Sequence, residues 1–275
     1  FKKTVVTIHD LIHLLFPDYL PHRFAYHYAK GMLKIAARKA KGIVCVSENT
    51  KMDMVRLLGV DRKKIEVIHE AVSGEFSKVT DPAVLRPVKG RYELADKYVL
   101  YLGSLRYHKN ITRLIDAFVR LKQQGHTEQT LVLAGRLDPK SANIKAALER
   151  PDVKEAVHYI GKVENADIYA LYSMADVFVF PSLYEGFGLP PLEAMACGTP
   201  VCASNAASIP EILGDAAVFF NPYHEHEIEG ALRSVLEDEH KKADLIRKGY
   251  ERVKKFSWEE TARKTLAVYE KAVQI

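Results

Sequence analysis

Short apolar runs rich in β-branched residues alternate with longer amphipathic stretches along almost the whole chain. The first three runs are VVTI at 5–8, GIVCV at 42–46 and IEVI at 65–68, and helical patterns run between them from His22 to Lys41 and from Glu48 to Leu58. Strands with so few polar interruptions are typical of parallel sheets that helices cover on both faces. The alternation therefore predicts an α/β fold.

The alternation is interrupted once, over residues 73–97, where Pro82, Pro87 and Gly90 lie among scattered charges. We interpret this break as a connection between two Rossmann-like domains. A last helical pattern follows the second domain, and we interpret its Trp258 and Tyr269 as core anchors. The predicted divisions are a partial N-terminal domain at 1–80, a linker at 81–97, a second domain at 98–255 and a terminal helix at 256–275.

The composition indicates a protein without a membrane span or a secretion leader. No apolar run among the 275 residues approaches the ~20 residues that a transmembrane helix needs. The three cysteines, Cys45, Cys197 and Cys202, lie among apolar neighbours, which favours buried reduced thiols and a cytoplasmic location. Because residue 1 is Phe and leads directly into a strand pattern, we expect the natural chain to be longer at this end.

Positive charge is concentrated at the start of the chain, where residues 1–72 hold 13 Lys and Arg against 7 Asp and Glu. Such a region suits an anionic partner, either a membrane surface or a phosphate-bearing substrate, and a solvated basic face explains it equally well. The basic helix predicted at 21–41 also has two interpretations. Its apolar residues either contact the inner membrane face peripherally or pack on the sheet; they are Phe24, Tyr28, Leu33, Ile35 and Ala36.

Three loops follow predicted strands and carry chemically useful residues: HD at 9–10, GSLRYHKN at 103–110 and SLYEGFGLPPLE at 182–193. Ligands of open parallel sheets bind outside the carboxyl ends of the strands. In the third loop, glycines permit close approach of a ligand, and the helix that starts near Pro190 offers unpaired N–H groups to an anion. Glu193 is placed to accept hydrogen bonds from a diol such as a ribose. The alternative for both Glu193 and Glu185 is an ordinary surface carboxylate without a functional role.

The second loop places Arg106 and Lys109 between a buried strand and a helix, where two cations can neutralise a diphosphate. A solvated charged loop is the alternative. His9 and Asp10 form either a functional pair or a structural one. No DxD sequence follows a strand and no His or Cys cluster has ligand spacing, so we expect neither a metal nor a cofactor.

These segments together resemble glycosyltransferase family 4, the retaining nucleotide-sugar glycosyltransferases of the GT-B fold. YLGSLRYHKN carries the glycine and the terminal KN of one family signature in Gly103, Lys109 and Asn110, and Glu185 and Glu193 meet the E-x7-E signature. VVTIHDL, GIVCVSENT and IEVIHEAV look like the end of the family's N-terminal domain. The resemblance implies a complete C-terminal domain preceded by only the last part of the N-terminal, acceptor-side domain.

The resemblance also implies roles for individual residues. Lys109 is expected to bind the donor's diphosphate, Glu193 the ribose, and Glu185 the donor sugar, while His9 points across the cleft at the transferred sugar. We expect catalytic roles for His9, Lys109 and Glu185. The expected substrate-binding residues are Gly103, Ser104, Arg106, Lys109, Val163, Glu185, Gly186, Phe187, Gly188, Leu189 and Glu193, with Val163 near the nucleobase.

The sequence departs from the family at two places. Relatives carry arginine beside the KN lysine or just after the glycine, whereas this chain has His108 and Ser104 there and Arg106 nearby. Relatives also have a long further segment before TIHD, which forms much of the acceptor site. A second segment or chain is therefore an expected partner.

The expected activity is metal-independent transfer, with retention, of a sugar from a nucleoside diphosphate to a glycan or lipid-linked acceptor. GDP-mannose is the favoured donor, and UDP- and ADP-sugars stay open. The alternative is a donor-binding module that is inactive without its N-terminal segment. No nucleic-acid partner is expected.

Overall fold

The computed structural model describes residues 3–17 and 23–274, so the predicted helix start at His22 lies outside the described residues. The chain begins with a three-stranded parallel sheet in the order β1-β2-β3. Its elements are β1 (Val5–Ile8), α1 (Ile12–Leu15), α2 (Arg23–Lys39), β2 (Gly42–Cys45), α3 (Glu48–Leu58) and β3 (Ile65–Val67).

A six-stranded parallel sheet follows, in the order β6-β5-β4-β7-β8-β9. Its strands are β4 (Tyr98–Leu102), β5 (Thr130–Ala134), β6 (Val157–Gly161), β7 (Val177–Phe180), β8 (Val201–Ser204) and β9 (Ala217–Phe220). In β4, Leu100 faces one hydrophobic cluster and Val99 faces the other, because successive side chains of a strand point to opposite faces. The predicted α/β fold with buried parallel strands is confirmed.

Helices cover this sheet on both faces, and one more helix, α13 (Trp258–Gln274), ends the described chain. The preceding helices are α4 (Pro82–Arg91), α5 (Ile111–Gln123), α6 (Ala142–Glu149), α7 (Pro151–Ala156), α8 (Ile168–Met174), α9 (Leu189–Ala196), α10 (Ile209–Leu213), α11 (Glu225–Leu236) and α12 (Glu239–Val253). The helical pattern that follows Asn110 forms the buried face of α5; it comprises Ile111, Leu114, Ile115, Phe118 and Leu121.

The break at 81–97 is not irregular, because most of it forms α4. The Asp81 side chain accepts a hydrogen bond from the Ala83 N–H, and Pro82 occupies the first turn, where a missing N–H costs no intrahelical bond. Val88 is buried against the larger domain's core. These local signals and this packing stabilise the helix despite Pro87 within it.

The last helix, α13, lies against β1 and β2 of the smaller sheet. The Thr261 hydroxyl donates to the His69 carbonyl at 2.7 Å. The interpretation of Trp258 and Tyr269 as core anchors is wrong, since they are 47% and 48% exposed. The thiols of Cys45, Cys197 and Cys202 are buried and unpaired as predicted, and burial raises the pKa of each to about 12.

Packing on the sheet explains only part of the apolar pattern of α2. Leu33 packs against the core of the smaller sheet, whereas Phe24 is 81% and Tyr28 71% exposed. Within residues 3–17 and 23–274, none of the helices combines the length and the apolar character that crossing a bilayer requires.

Candidate functional site

The larger sheet has its topological switch point between β4 and β7, because the chain builds β5 and β6 on one side of β4 and then returns to its other side. Ligands of doubly wound sheets bind at such a point, outside the carboxyl ends of the strands. The loops that follow β4 and β7 are the two loops that the sequence singled out in this domain. They touch directly, since the Leu183 N–H donates to the His108 carbonyl at 2.7 Å.

An ion pair joins these two loops. The Lys109 ammonium lies 2.6 Å from a carboxylate oxygen of Glu185, and the two side chains are only 16% and 15% exposed. The same ammonium lies 5.6 Å from the centre of the Phe180 ring, a cation–π contact. The structure therefore brings together two of the three expected catalytic residues, one from each side of the switch point.

The second expected cation also has a carboxylate partner. Arg106 pairs with Asp138 at 3.1 Å and keeps a half-exposed side chain. His108 adds no charge near neutral pH, because burial, assisted by Lys109 and Arg106, lowers its pKa to about 3. An anionic ligand in this cleft would therefore meet two cations that already have anionic neighbours.

Glu193 lies within the second turn of α9 and is partly buried. The Tyr172 hydroxyl donates to its Oε2 at 3.0 Å. Burial raises the pKa of Glu193, although the Tyr172 hydrogen bond opposes that shift. Burial and the neighbouring carboxylate raise the pKa of Tyr172 well above its usual value, so the phenol remains a hydrogen-bond donor. Tyr172 was missed by the sequence analysis because only folding brings α8 beside α9.

The start of α9 offers fewer donors than the sequence suggested. The helix begins at Leu189, next to Pro190 as predicted, and Gly188 takes the left-handed conformation before it, with a φ of 109°. Pro190 and Pro191 then fall within the first turn, where neither has an N–H. Only part of the usual set of unpaired N–H groups is left for an anion.

Gly186 lies at a close contact between the two parts of the molecule. A Cβ at this position would overlap the carbonyl of His9, so only glycine allows the approach. The Ser47 hydroxyl, at the start of α3, donates to the Gly186 carbonyl at 2.6 Å. On the other side of the loop, the Ser208 hydroxyl donates to the carbonyls of Glu185 and Phe187 at 3.0 and 2.9 Å.

The His9 side chain is held away from this contact. Its Nδ1 lies 3.0 Å from a carboxylate oxygen of Glu70, and the side chain is 67% exposed. The expected partner in the sequence was Asp10, but the Asp10 carboxylate instead accepts from the Ile12 N–H at 2.9 Å. The structure thus places the His9 backbone against Gly186 and its imidazole beside Glu70.

A cleft of about 550 Å³ lies between the two parts of the chain. The described residues that line it do not include His9. They are Asp10, Ile12, His13, Ser104, Arg106, His108, Lys109, Asp138, Lys140 and Glu185. The sequence analysis missed Asp138 and Lys140, although both follow β5, the strand beside β4, and a search of every loop at a strand end would have found them.

Two glycines let the ends of β4 and β5 approach each other. Gly103 has a φ of 154° and its N–H donates to the Ala134 carbonyl at 2.9 Å. A Cβ on Gly135 would overlap the Gly103 carbonyl, which makes Gly135 a second required glycine at this edge. Val163, expected near the nucleobase, is 7% exposed and packs in the core, so its side chain is not part of the cleft.

The expectation that no histidine cluster has ligand spacing is wrong at one place. The ligand-type atoms of His224, His226 and Glu227 lie within 4.8 Å of one another. None of these residues lines the cleft.

Comparison with known proteins gives concordant results. The profile described as Glycosyl transferases group 1 matches residues 87–252, and that of Glycosyltransferase Family 4 matches residues 2–76. The O-antigen chain mannosyltransferase B of Escherichia coli is 32% identical over 98% of this chain and 70% of its own length. The serotype-specific mannosyltransferase WbdA of the same species is 31% identical over 99% of this chain, which spans only 34% of that relative.

Solved structures agree on the fold. The sucrose-phosphate synthase of Thermosynechococcus elongatus superposes with a TM-score of 0.80 at 22% identity, over 98% of this chain and 68% of that one. Anabaena HepE in complex with UDP and glucose gives a TM-score of 0.80 at 21% identity, over 97% and 71%. With the family profile covering more than half of the residues, the chain belongs to the group 1 glycosyl transferases of glycosyltransferase family 4.

Proposed function

We propose that this chain transfers a hexosyl group from a nucleoside-diphosphate sugar to an acceptor hydroxyl, with retention of anomeric configuration and without a metal ion. The observation that carries the proposal is the 2.6 Å pair of Lys109 and Glu185 at the switch point, with Glu193 partly buried in the adjoining helix. Family membership supports the same reaction class.

Lys109 is the main group that stabilises the leaving diphosphate. Negative charge grows on that group as the glycosidic bond breaks, and a fixed cation in a water-poor site lowers the energy of that state. Arg106 is the second cation, and Ser104 and Gly103 lie at the same strand end. Because both cations pair with carboxylates, a bound diphosphate has to replace or share these partners.

Other residues bind the remaining parts of the donor, which are the ribose, the transferred sugar and the base. The Glu193 carboxylate binds the ribose hydroxyls, and Glu185 faces the transferred sugar with the backbone of the 186–189 segment. Gly186, Phe187, Gly188 and Leu189 form that segment. Val163 contributes to the base pocket only through its backbone, because its side chain is buried.

Retention follows from attack on the face that the leaving group vacates. The bond between the anomeric carbon and the phosphate oxygen breaks, the acceptor oxygen bonds to the same face, and its proton passes to the leaving phosphate. His9 assists by facing the transferred sugar, which requires its imidazole to turn away from Glu70.

Mannose from GDP-mannose is the favoured donor sugar, supported by the mannosyltransferase names of the similar proteins. A UDP-sugar is the alternative, since HepE was solved with UDP and glucose. The proposed acceptor is a glycan or a lipid-linked saccharide at the cytoplasmic side of the membrane. The exposed Phe24 and Tyr28 on the basic helix α2 support peripheral contact there.

The test is calorimetric titration of the 275-residue chain with GDP, UDP and ADP, followed by a product assay with the matching sugar donor. We expect one nucleotide to bind preferentially. With GDP-α-mannose and a mannose-terminated oligosaccharide, proton NMR of the product should show an α-linkage. EDTA should leave the rate unchanged.

Each part of the proposal has its own contradicting outcome. A β-linked product contradicts retention, and activity that EDTA removes and Mg²⁺ restores contradicts metal independence. Nucleotide binding without turnover favours the donor-binding module over the transferase. Failure to bind GDP, UDP and ADP contradicts the site assignment.

A further inference from the structure

The turn between β9 and α11 gathers three metal-ligating side chains outside the cleft. His224, His226 and Glu227 place their ligand-type atoms within 4.8 Å of one another. The two imidazole rings lie side by side, 5.4 Å apart and 15° from parallel. The cluster is open to solvent on the histidine side, so an ion can reach it without movement of the core.

The backbone of the turn orients the carboxylate. The Asn221 N–H donates to Glu227 Oε2 at 2.9 Å, and Glu227 Oε1 lies 2.9 Å from His224 Nδ1. The Asn221 side chain in turn accepts from the Tyr223 N–H at 3.0 Å, which tightens the turn. The carboxylate is therefore positioned before any ion binds, as hydrogen-bonded metal ligands usually are.

Two imidazoles and one carboxylate suit particular ions. Nitrogen and carboxylate donors together favour Zn²⁺, Ni²⁺, Co²⁺ and Cu²⁺ over Mg²⁺ and Ca²⁺, which prefer oxygen ligands only. The cluster lies at the N-terminus of α11, where the helix dipole opposes a cation. Glu229 lies in the same stretch of sequence and adds negative charge that counters this effect, whereas Glu225 already pairs with Arg120 at 2.6 Å.

The turn is also attached to the cleft. The Asn110 side-chain amide donates to the Pro222 carbonyl at 2.6 Å, and Asn110 follows Lys109 directly. Asn110 is buried and takes the left-handed conformation, with a φ of 59°. The turn that carries the three ligands therefore helps to fix Asn110, the last residue of the loop at 103–110 that contains Lys109.

We propose that His224, His226 and Glu227 bind one divalent transition-metal ion, and that the ion stabilises the β9–α11 turn. The ion lies outside the cleft and takes no part in the transfer chemistry. Three protein ligands leave further coordination positions to water.

Calorimetric titration of the untagged, EDTA-treated chain with ZnCl₂ tests the proposal. We expect His224→Asn and His226→Gln each to weaken Zn²⁺ binding about 10-fold or more, because each removes a ligand. Asn is a good helix N-cap, so His224→Asn keeps the start of α11 intact. His240→Gln is the matched control, since His240 is an exposed histidine in the first turn of the next helix, α12, and should leave the affinity unchanged.

A second measurement does not depend on calorimetry. ZnCl₂ should raise the unfolding temperature of the wild type but not of the His224→Asn/His226→Gln double variant, and MgCl₂ should raise neither. Equal Zn²⁺ affinity in the wild type and both single variants overturns the proposal, and so does loss of affinity in His240→Gln alone. Retained circular dichroism in each variant excludes misfolding as the cause of a loss.

Discussion

The six-stranded and three-stranded parts of the molecule contribute to the cleft in different ways. The larger part supplies the charged side chains Arg106, Lys109 and Glu185 from strand ends. The smaller part lines the cleft with Asp10, Ile12 and His13, and it contacts the Gly186 backbone through the His9 carbonyl and the Ser47 hydroxyl. Most of the charge in the cleft therefore comes from the larger part, whereas the contact at Gly186 determines how closely the smaller part approaches it, and substitutions can separate these two contributions.

The largest effect is expected for Lys109→Ala. Removing a group that stabilises transition-state charge lowers kcat by roughly 100- to 1,000-fold in comparable sites. Donor affinity should fall less than turnover if the charge acts chiefly as the diphosphate leaves. Steady-state kinetics with the donor identified by calorimetry measure both quantities.

Lys145→Ala is the control for this variant, because Lys145 is an exposed lysine on α6. Its kinetics should match those of the wild type. An equal loss in kcat and in donor affinity for Lys109→Ala would place its role in ground-state binding, and no loss in either would remove Lys109 from the site.

Gly186→Ala tests the geometric contribution of the smaller part. The new methyl group would overlap the His9 carbonyl, so the two parts have to separate. We expect turnover to fall by about 10-fold or more, because small displacements of reacting groups are costly. Nucleotide affinity should change little, since its contacts belong to the larger part.

Gly31→Ala provides the matched control, because a Cβ at Gly31 on α2 meets no atom within 4 Å. A Gly186→Ala variant that loses nucleotide affinity and turnover equally would contradict the division of roles between the two parts.

Glu193→Ala should weaken nucleotide binding by about 1–3 kcal/mol, the usual cost of leaving polar partners unsatisfied. The wild type should also lose affinity as the pH falls from 7 toward 5. Burial raises the pKa of Glu193, so its carboxylate is protonated at a higher pH than an exposed glutamate is. Calorimetry across this range checks the prediction, and Glu193→Gln should show a weaker pH dependence.

Glu211 connects the two parts away from the cleft. Its carboxylate accepts from the N–H groups of Glu48 and Asn49 at 2.9 and 3.2 Å and lies 2.9 Å from His69 Nε2. Burial raises the pKa of Glu211, but these hydrogen bonds outweigh that effect and hold the pKa below its ordinary value. The stabilisation is therefore complete above the pKa of the unfolded chain and is lost as the pH falls through the lowered value.

Glu211→Gln should lower the free energy of unfolding by about 1–2 kcal/mol at pH 7, and the difference from the wild type should shrink on acidification. Urea unfolding at pH 7 and pH 4 measures it. Glu155→Gln, at an exposed position on α7, should be neutral. A difference that grows toward pH 4 would contradict the assigned role.

The sequence predicted the α/β fold and identified the two loops that hold Lys109 and Glu185, because strands, helix starts and charged loops are local features. It missed contacts that depend on how distant segments pack. Asn110 illustrates the difference: its side chain donates to the carbonyl of Pro222, a residue far along the chain, and makes no capping hydrogen bond to α5. The helix α4 within the predicted linker has the same origin, since it is stabilised by burial of Val88.

The smallest effect is expected for Tyr172→Phe, which removes one hydroxyl and leaves the ring in place. The Glu193 carboxylate loses its 3.0 Å donor but remains able to bind the ribose. We expect donor affinity to fall a few-fold, consistent with about 0.5–1.5 kcal/mol for one hydrogen bond, while kcat stays unchanged. The phenol stabilises the charged carboxylate, so the pKa of Glu193 should rise further and the affinity loss at acidic pH should begin at a higher pH than in the wild type. Calorimetry from pH 5 to 8 compares the two profiles.

Tyr107→Phe is the control, because Tyr107 is exposed and lies on the other loop. Identical profiles for Tyr172→Phe and the wild type would show that Tyr172 serves only packing and that the larger part positions Glu193 by burial alone.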